Sequence, residues 1–481
     1  MVAAEKVDLR RPHLRELQER ELQLMDAICK EPTWLARHDE AALRWALSLA
    51  RLSKVPVLRE GGGEDLVDLG HASDDYRRDL LAAVEPMFRG ERVNREAARV
   101  QLPKIRELVR DERRNLLKWF QGRLPAKDLD RATRRRPFAL VLGGGGGTGY
   151  IFVGALQLLE EAGLKPNIVV GSSMGSILGA FRCRDKDFDM KNVNGIIDRL
   201  SWRRVFRLFD TEARFGLPAT LKLHLREVIG HEFERDGRFL RMKDLPIPFR
   251  VCVGGLSSPQ DPAQLNRYAH LLDDVEQPGG LRMKTASIAR TLQEFTNKPV
   301  KPVILGGDDL TQEFDVLDAI GFSSAVPGVI HYDILRDDPR MVDLVSQLME
   351  REGVFRLVDG GVADNLPARE AWNAVQSGAV RGRDPFVLAL DGFAPQWNRH
   401  LLFLPLMRIA QENSRMGRKT AHVTISYKKV LSPLAVVPTA EEFRRAVENG
   451  REETQPFVDL VRKMVGPIPD PPGVVTEMDG T

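Results

Sequence analysis

The sequence predicts an α/β fold with a mostly parallel central sheet, preceded by a helical N-terminal region. The run "FALVL" at 138–142 is wholly apolar, "NIVV" at 167–170 has three apolar residues after Asn167, and a helical pattern of about 14 residues ends at Gly163 between them. Short apolar runs are typical of strands buried on both faces. Strand, helix and strand within about thirty residues imply parallel pairing through a right-handed crossover.

The N-terminal region, residues 1–136, carries the pattern of amphipathic helices. Leu14, Leu17, Leu24 and Ile28 recur at helical spacing, and further helices are predicted over 40–55 and 104–121. Residues 104–136 also hold twelve Lys and Arg against five Asp and Glu. This surplus is interpreted as a solvated helical face, with docking on anionic lipid headgroups as the alternative.

Later strands are predicted at 249–255, 355–361 and 386–392, where apolar runs end in glycine. These elements place a catalytic domain at 137–395, with a candidate insertion at 257–309 that could cover the site. Residues 396–481 are predicted to form a C-terminal helical extension with a helix over 439–465 and a disordered tail.

Composition limits the classes of function. The chain has 481 residues, a net charge of +3 and three cysteines without a pairing pattern, which favours a reducing compartment. It shows no signal-peptide core and no run of about 18 uncharged apolar residues. We therefore expect a cytoplasmic protein that meets membranes at their surface, with no nucleic-acid partner, no cofactor and no metal; the oligomeric state is not predicted.

The segment Gly171-Ser172-Ser173-Met174-Gly175 matches G-x-S-x-G where a predicted strand meets a helix. That context is the one a nucleophile elbow requires, since the sharp turn leaves no room for Cβ atoms two residues before and after the serine. Ser173 would lie at a helix N-terminus, whose partial positive charge stabilises a developing oxyanion. Ser173 is therefore the predicted nucleophile.

Five consecutive glycines, 143–147, follow the first predicted strand. Acyl transfer needs backbone N–H groups close to the developing oxyanion, and a loop without side chains can supply them. A phosphate-binding P-loop would require a lysine after the glycines, and a dinucleotide fold would require an acid at the end of the second strand. Neither is present, so nucleotide binding is disfavoured.

A serine nucleophile needs a base, and Asp359 in "LVDGGVADNLP" follows an apolar run and precedes Gly360 and Gly361. A carboxylate at a strand end can reach a neighbouring elbow, although a structural Asx-turn is the alternative. His400 and His422 follow Asp359, so a Ser-His-Asp triad of the α/β-hydrolase kind stays open.

Together, "GGGGGTG", "GSSMG" and "DGGVADNLP" resemble the patatin-like phospholipase family, over roughly 138–371. The resemblance implies a three-layer α/β/α patatin-like fold and a Ser-Asp dyad, with Ser173 as nucleophile and Asp359 as base. It also implies an oxyanion hole at Gly144, Gly145 and Gly146.

The chain departs from the family at Thr148, where Arg or Lys is usual. The departure weakens the expectation of phospholipids and favours neutral acyl esters such as glycerides. The expected partners are a lipid ester and a membrane, lipid-droplet or micelle surface. "LSWRRVFRLFD" at 200–210 has the pattern of a basic amphipathic helix suited to such a surface. A non-catalytic lipid-binding or regulatory module of the same fold is the alternative function.

Overall fold

The structure is a computed structural model that describes residues 13–59, 61–89, 92–188, 201–208, 213–217, 219–257, 300–393 and 404–475. His400, Phe209 and most of the candidate insertion, 258–299, lie outside the described residues.

The described helices, in chain order, are α1 Leu14–Lys30, α2 Arg37–Arg51, α3 Asp74–Val84, α4 Arg95–Trp119, α5 Ala126–Arg134, α6 Ile151–Glu161, α7 Met174–Arg184, α8 Trp202–Val205, α9 Leu225–Ile229, α10 Asp309–Gln312, α11 Val316–Ser323, α12 Pro339–Glu352, α13 Gly360–Asp364, α14 Ala368–Gln376, α15 Leu404–Thr420, α16 Ala440–Thr454 and α17 Val458–Val465. The helix predicted over 439–465 is thus divided in two, around a 3-10 turn at Gln455–Phe457 that contains Pro456, because proline cannot donate the backbone hydrogen bond of a helix interior.

The described strands are β1 Lys54–Leu58, β2 Glu64–Asp68, β3 Phe88–Arg89, β4 Arg92–Val93, β5 Phe138–Leu142, β6 Ile168–Ser172, β7 Phe206–Leu208, β8 Ala219–Leu223, β9 Glu234–Arg235, β10 Arg238–Phe239, β11 Phe249–Ser257, β12 Val300–Leu305, β13 Gly328–His331, β14 Val354–Val358, β15 Phe386–Asp391 and β16 Val423–Ser426.

The chain divides into two compact units, and each unit is assembled from separate stretches of sequence. The first unit combines residues 1–138, 372–386 and 457–481. Its helices are joined to the later stretches by buried polar contacts: Arg51 Nη1 donates to Asp384 Oδ2 at 2.6 Å, and Arg44 Nη2 donates to the carbonyl of Gly466 at 3.1 Å. The N-terminal helices therefore require residues far along the chain to complete their packing.

Several cations of the basic segment 104–136 form ion pairs inside this first unit. Arg113 binds Asp130 through two hydrogen bonds of 2.8 and 2.9 Å, and Arg136 pairs with Glu21. Arg113 and Arg136 are both buried and paired, so these two cations are not available to dock on an anionic surface.

The second unit, residues 139–371 and 387–456, is built on a mixed seven-stranded sheet. The strand order is β12-β11-β6-β5-β15-β16, with β14 also paired to β11. The pairs β5–β6, β6–β11 and β15–β16 are parallel, whereas β12 and β14 are antiparallel to β11. Strand β12, inside the candidate insertion, is thus an edge strand of the sheet.

Strand β11 brings the ends of β6 and β14 together. Ser172 of β6 lies opposite Cys252, and Val358 of β14 lies opposite Gly254, two residues further along β11. Strand β12 occupies the other side of β11 over Val251–Leu256. Strands β6 and β14 consequently lie end to end on one side of β11, and because they run in opposite directions their C-terminal ends face each other.

A smaller sheet, β13-β8-β7, lies in the same unit and includes part of the segment predicted as a basic amphipathic helix. That prediction is wrong at Phe206–Leu208: a helix extends over Trp202–Val205, and the chain then continues as strand Phe206–Leu208, antiparallel to β8. Aromatic and β-branched residues favour a strand when a partner is present, and the tertiary pairing overrides the helical pattern.

Helices α6 and α16 pack closely because each presents a glycine to the other. A Cβ at Gly154 would overlap the carbonyl oxygen of Val447, and a Cβ at Gly450 would overlap that of Ile151. At the ends of this contact Arg451 binds Glu161 through two hydrogen bonds of 2.8 and 2.7 Å. Helix α16 is therefore part of the second unit, although it follows the last large-sheet strand.

The predicted fold class is confirmed: a mostly parallel central sheet is flanked by helices and preceded by a helical region. The domain boundaries at 136 and 395 remain predictions. Among the described residues, no helix combines the length and apolarity that crossing a membrane requires.

Candidate active site

Ser173 lies in a strained turn between β6 and α7. Its φ of 50° and ψ of −127° place it in a region that non-glycine residues rarely adopt, at a cost of about 1–3 kcal/mol. Helix α7 begins at the next residue, Met174, so the hydroxyl is at the helix N-terminus. The side chain is largely buried.

The two glycines that flank Ser173 are required by close backbone approach. A Cβ at Gly171 would lie 2.7 Å from the carbonyl oxygen of Gly175, and a Cβ at Gly175 would overlap that of Leu142. Both positions therefore fit the elbow predicted from the G-x-S-x-G pattern.

Asp359 follows β14 directly and faces the elbow across the gap between β6 and β14. Its Oδ1 accepts a hydrogen bond from the Gly361 amide at 2.8 Å, in the manner of a helix cap. Its Oδ2 is buried and has no hydrogen bond of ordinary geometry within the described chain. Ser173 and Asp359 line the same cavity, and the Ser173 hydroxyl lowers the pKa of the carboxyl group.

Burial raises the pKa of Asp359 from 3.8 to about 6, against the smaller lowering effects of the Ser173 hydroxyl and the Gly361 amide. A carboxylate in an apolar environment holds a proton more tightly, because desolvation disfavours the charged form. A pKa of about 6 leaves the group ionised at pH 7 yet better able to accept a proton than an exposed aspartate.

Gly360 is also required by a close approach of backbone to backbone, and Gly361 by a close approach to the side chains of Asp359 and Asn365. A Cβ at Gly360 would overlap the carbonyl oxygen of Cys252 on β11, and Gly361 supplies the amide that binds Asp359. The two glycines thus let the chain turn immediately after the carboxylate.

The glycine loop lies against the serine. A Cβ at Gly144 would be 2.9 Å from Ser173 Cβ and 2.6 Å from Asn365 Oδ1. The Gly144 amide donates to the Asn365 carbonyl at 3.2 Å. Within the described chain the amides of Gly145 and Gly146 have no acceptor, and both residues line the same cavity as Ser173. Of the three predicted oxyanion donors, these two are the better suited.

A family model for patatin-like phospholipases matches residues 140–372, just under half of the chain. These residues form a patatin-like phospholipase domain.

Curated relatives match shorter segments. The lysophospholipase nte1 of Aspergillus fumigatus is 48% identical over 72 residues, which is 14% of this chain and 5% of that protein. The lysophospholipase NTE1 of Candida glabrata is 34% identical over 107 residues, 22% of this chain and 6% of its own. The chain therefore spans only a small part of the length of these relatives.

Thr148 of the patatin-like domain holds the glycine loop by hydrogen bonds where the family usually has a cation. Its hydroxyl donates to the Gly145 carbonyl at 3.0 Å, and its amide donates to the same oxygen at 3.3 Å. The side chain is buried. A neutral residue thus fixes the turn that carries the two unpaired amides, and it places no positive charge at the site.

Ser323, at the end of α11, connects the elbow to β11 and was not identified from the sequence. Its hydroxyl accepts from the Ser173 amide at 2.9 Å and donates to the Cys252 carbonyl at 2.6 Å. Asn365 was missed as well: it binds the Gly144 amide through its carbonyl and Ser414 through its side chain. No local pattern distinguishes Ser323, which is the last residue of a helix that also contains the polar Asp318.

Ser323→Ala is expected to slow reaction at Ser173 without unfolding the patatin-like domain. The change leaves the buried Ser173 amide and Cys252 carbonyl without their partner, which costs about 1–3 kcal/mol per group. The rate of labelling by a fluorophosphonate should fall at least about tenfold. Ser346→Ala, on the exposed face of helix α12, is the control. Equal labelling of both variants would contradict the positioning role of Ser323.

A cavity of about 480 Å³ opens beside Ser173 and Asp359. This volume lies in the range of small-ligand pockets. Its wall is predominantly apolar. Of its described lining residues only Asp359 carries a carboxyl group, and none carries a cationic side chain. The apolar lining comes from α7, the smaller sheet, α9 and later segments, and includes Met174, Ile177, Leu178, Phe181, Phe206, Leu221, Leu223, Val228, Ile229, Val329, Ile330 and Val362.

None of the described histidines lines this cavity. His422 lies beside β15, where its Nδ1 binds the Val387 amide at 3.0 Å. Because this hydrogen bond ties the imidazole to a strand of the large sheet, His422 is poorly suited to complete a triad. Among the described residues, no three His, Cys, Asp or Glu side chains are grouped as metal ligands.

Proposed function

We propose that the chain is a serine acyl hydrolase that cleaves lipid carboxylic esters through an acyl-enzyme at Ser173. The observation that most supports this proposal is that a serine in an elbow and a carboxyl group of raised pKa line the same apolar cavity. The two residues follow strands β6 and β14, which both pair with β11. The patatin-like match and the lysophospholipase names of the relatives support this assignment.

In the first step Asp359 accepts the Ser173 hydroxyl proton while Ser173 Oγ attacks the ester carbonyl carbon. The carbonyl oxygen becomes negative and is stabilised by the amides of Gly145 and Gly146 and by the N-terminus of α7. The C–O bond then breaks, the alcohol leaves with the proton from Asp359, and Ser173 holds the acyl group.

In the second step water replaces the alcohol. Asp359 accepts a proton from water as the oxygen attacks the acyl carbon, and the same oxyanion donors stabilise the second tetrahedral intermediate. Breakdown returns the proton to Ser173 Oγ and releases the fatty acid. One carboxylate thus acts as base in both halves, so no histidine is needed.

The substrate class we propose is an ester with one long acyl chain in the cavity. At about 30 Å³ per water-sized group, a volume of 480 Å³ accommodates on the order of fifteen such groups. Because neither Thr148 nor the described lining supplies a cation, a phosphate headgroup would gain no ion pair there. Glycerides and lysophospholipids are the candidates, with the polar part outside the apolar wall.

Reaction with a fluorophosphonate probe tests the enzyme assignment. Wild type should be labelled covalently, Ser173→Ala should not, and Ser172→Ala should behave as wild type, because the adjacent hydroxyl is buried and makes no hydrogen bond within the described chain. His400→Ala and His422→Ala should retain labelling and hydrolysis of a short nitrophenyl ester. Absence of labelling in folded wild type would favour a non-catalytic lipid-binding module.

We further propose that the protein meets an anionic membrane surface at the edge of its cavity. Trp202 lines the cavity and is 47% exposed. The neighbouring Arg203 and Arg204 are exposed and form no ion pair within the described part of the chain. Aromatic rings and cations at a surface are typical of interfacial contact.

Arg203→Gln together with Arg204→Gln is expected to weaken binding to phosphatidylserine-containing vesicles by roughly 30-fold, at about 1 kcal/mol for each cation. Co-sedimentation measures the effect, and hydrolysis of a water-soluble ester should be unchanged. The matched control is Arg444→Gln with Arg445→Gln, another adjacent exposed pair, on α16. Equal binding by both double variants would contradict this docking site.

A further inference from the structure

A segment outside the family-matched residues forms part of the candidate site. Residues Ser432–Val436, here called the strap, connect β16 to α16 and cross the glycine loop. Pro433, Leu434 and Val436 line the cavity that contains Ser173 and Asp359. The family match ends at residue 372, so this wall belongs to the chain's own C-terminal region.

Backbone carbonyls of the strap fill the space that side chains would need in the glycine loop. A Cβ at Gly146 would overlap the Pro433 carbonyl oxygen, and a Cβ at Gly147 would overlap that of Ser432 and lie 2.6 Å from that of Ala435. The Gly147 amide also donates to the Pro433 carbonyl at 3.0 Å. The last two glycines of the run are therefore matched to the strap.

The strap is held at its far end by Tyr150, the residue that precedes α6. The Tyr150 hydroxyl donates to the Val436 carbonyl at 2.8 Å. The same ring packs edge-on against Phe443 of α16, with centroids 5.8 Å apart. Loop, strap and α16 thus form one connected group of contacts.

Leu434 occupies the strap position most exposed to an entering substrate. It lines the cavity, yet 46% of its surface is accessible to solvent. A large apolar side chain that faces both an apolar cavity and solvent lies at the cavity opening.

We propose that the strap determines substrate specificity: Leu434 limits the acyl chain that enters, and the strap carbonyls position the amides of the glycine loop. This inference rests on the proposed function and assigns part of its specificity to residues outside the patatin-like segment. It also explains the length of the glycine run, because Gly144 approaches the serine while Gly146 and Gly147 approach the strap.

The first test measures kcat/KM for nitrophenyl esters from four to sixteen carbons. Leu434→Trp should lower the ratio of the sixteen-carbon to the four-carbon rate by about tenfold or more, since differences of a few methylenes in a pocket reach that size. Leu434→Ala should change the ratio in the opposite direction. Leu66→Trp is the control, because Leu66 is equally exposed at 45% and does not line the cavity.

The second test displaces the strap through a substitution that does not contact substrate. Gly147→Ala should lower kcat for the four-carbon ester by about 10²-fold, the effect of losing an oxyanion donor, with little change in KM. Gly307→Ala is the control, because a Cβ there meets nothing closer than 3.7 Å. If Gly147→Ala does not fold, the Leu434 series still decides the specificity claim.

Binding of a fluorescent long-chain fatty acid to Ser173→Ala separates this proposal from the proposed function. Leu434→Trp in that background should weaken binding about tenfold, and Leu66→Trp should not. If wild type hydrolyses no ester, the hydrolase assignment fails and the binding series still tests the strap. Unchanged binding and an unchanged chain-length profile in both Leu434 variants would overturn the inference.

Discussion

Asp359→Asn is expected to abolish ester hydrolysis while making the protein more stable at neutral pH. Loss of a general base lowers kcat/KM by roughly 10²–10⁴-fold, and the asparagine amide cannot take the Ser173 proton. The new side chain keeps an oxygen for the Gly361 amide that now binds Asp359 Oδ1, so the turn is preserved. Nitrophenyl ester kinetics and thermal melting measure the two effects on the same sample.

The stability change follows from the direction of the pKa shift. The pKa of Asp359 is raised from 3.8 to about 6 in the folded protein, so the folded state binds more protons than the unfolded state between these values. Stability contributed by this group is therefore complete at low pH and is lost as pH rises through about 6. A rise of about two pKa units lowers the free energy of unfolding by about 3 kcal/mol above pH 6, relative to its value at low pH.

Asparagine does not titrate, so the advantage of Asp359→Asn in melting temperature should be largest at pH 7.5 and should shrink as pH falls toward 5. Wild-type kcat/KM should fall as pH decreases through about 6, because the protonated carboxyl cannot act as a base. A variant that retains a tenth of wild-type activity, or a pH profile flat between 5 and 7.5, would contradict the role of Asp359.

Asp364→Asn is the matched control for these two effects. The pKa of Asp364 is also raised to about 6, and burial is the largest cause of this rise. Its Oδ1 accepts from the Leu366 amide, and its side chain does not line the cavity. We expect this variant to gain stability at neutral pH and to keep its activity, which separates stability from catalysis.

Gly154→Ala is expected to destabilise the second unit, although alanine is normally the better residue inside a helix. The usual gain is about 1 kcal/mol. Here the added Cβ would overlap the Val447 carbonyl oxygen and lie 2.8 Å from its carbon, so α6 and α16 must separate. Overpacking of this kind costs about 1–3 kcal/mol and sometimes more, so the melting temperature should fall.

Gly230→Ala provides the comparison for that change. Gly230 also has helical backbone angles, φ −55° and ψ −44°, but a Cβ there would make its closest contact at 3.5 Å, which is ordinary packing. Its melting temperature should be unchanged or higher. If Gly154→Ala were as stable as Gly230→Ala, the close approach of α6 and α16 would be refuted.

Local patterns predicted the centre of the fold, because its strands are mostly apolar and its turns are rich in glycine. The strand, helix and elbow from β5 to α7 could be placed to within a few residues. Phe206–Leu208 is a strand paired with β8 where the sequence predicts a helix, since the pattern of apolar and basic residues there also suits a strand. Pairing depends on a partner far from the segment itself, and local periodicity does not report it.

The candidate site could be predicted only in part, because local patterns do not report contacts between distant segments. Ser173 and Asp359 have strong local signals, but their approach depends on β14 running antiparallel along β11, and no local pattern predicts that pairing. Ser323 and the strap carry no distinguishing pattern, because a buried serine and backbone carbonyls act through contacts made only after folding. The roles of all these residues in catalysis remain predictions.

The first unit can finish folding only late in translation. The first unit needs residues 457–481 as well as residues 1–138, so about 320 residues are translated between its early helices and its last stretch. At 5–20 residues per second this interval is roughly 15–65 s. Throughout it Arg44 lacks its acceptor at Gly466, and the nascent helices expose apolar surface that chaperones would recognise.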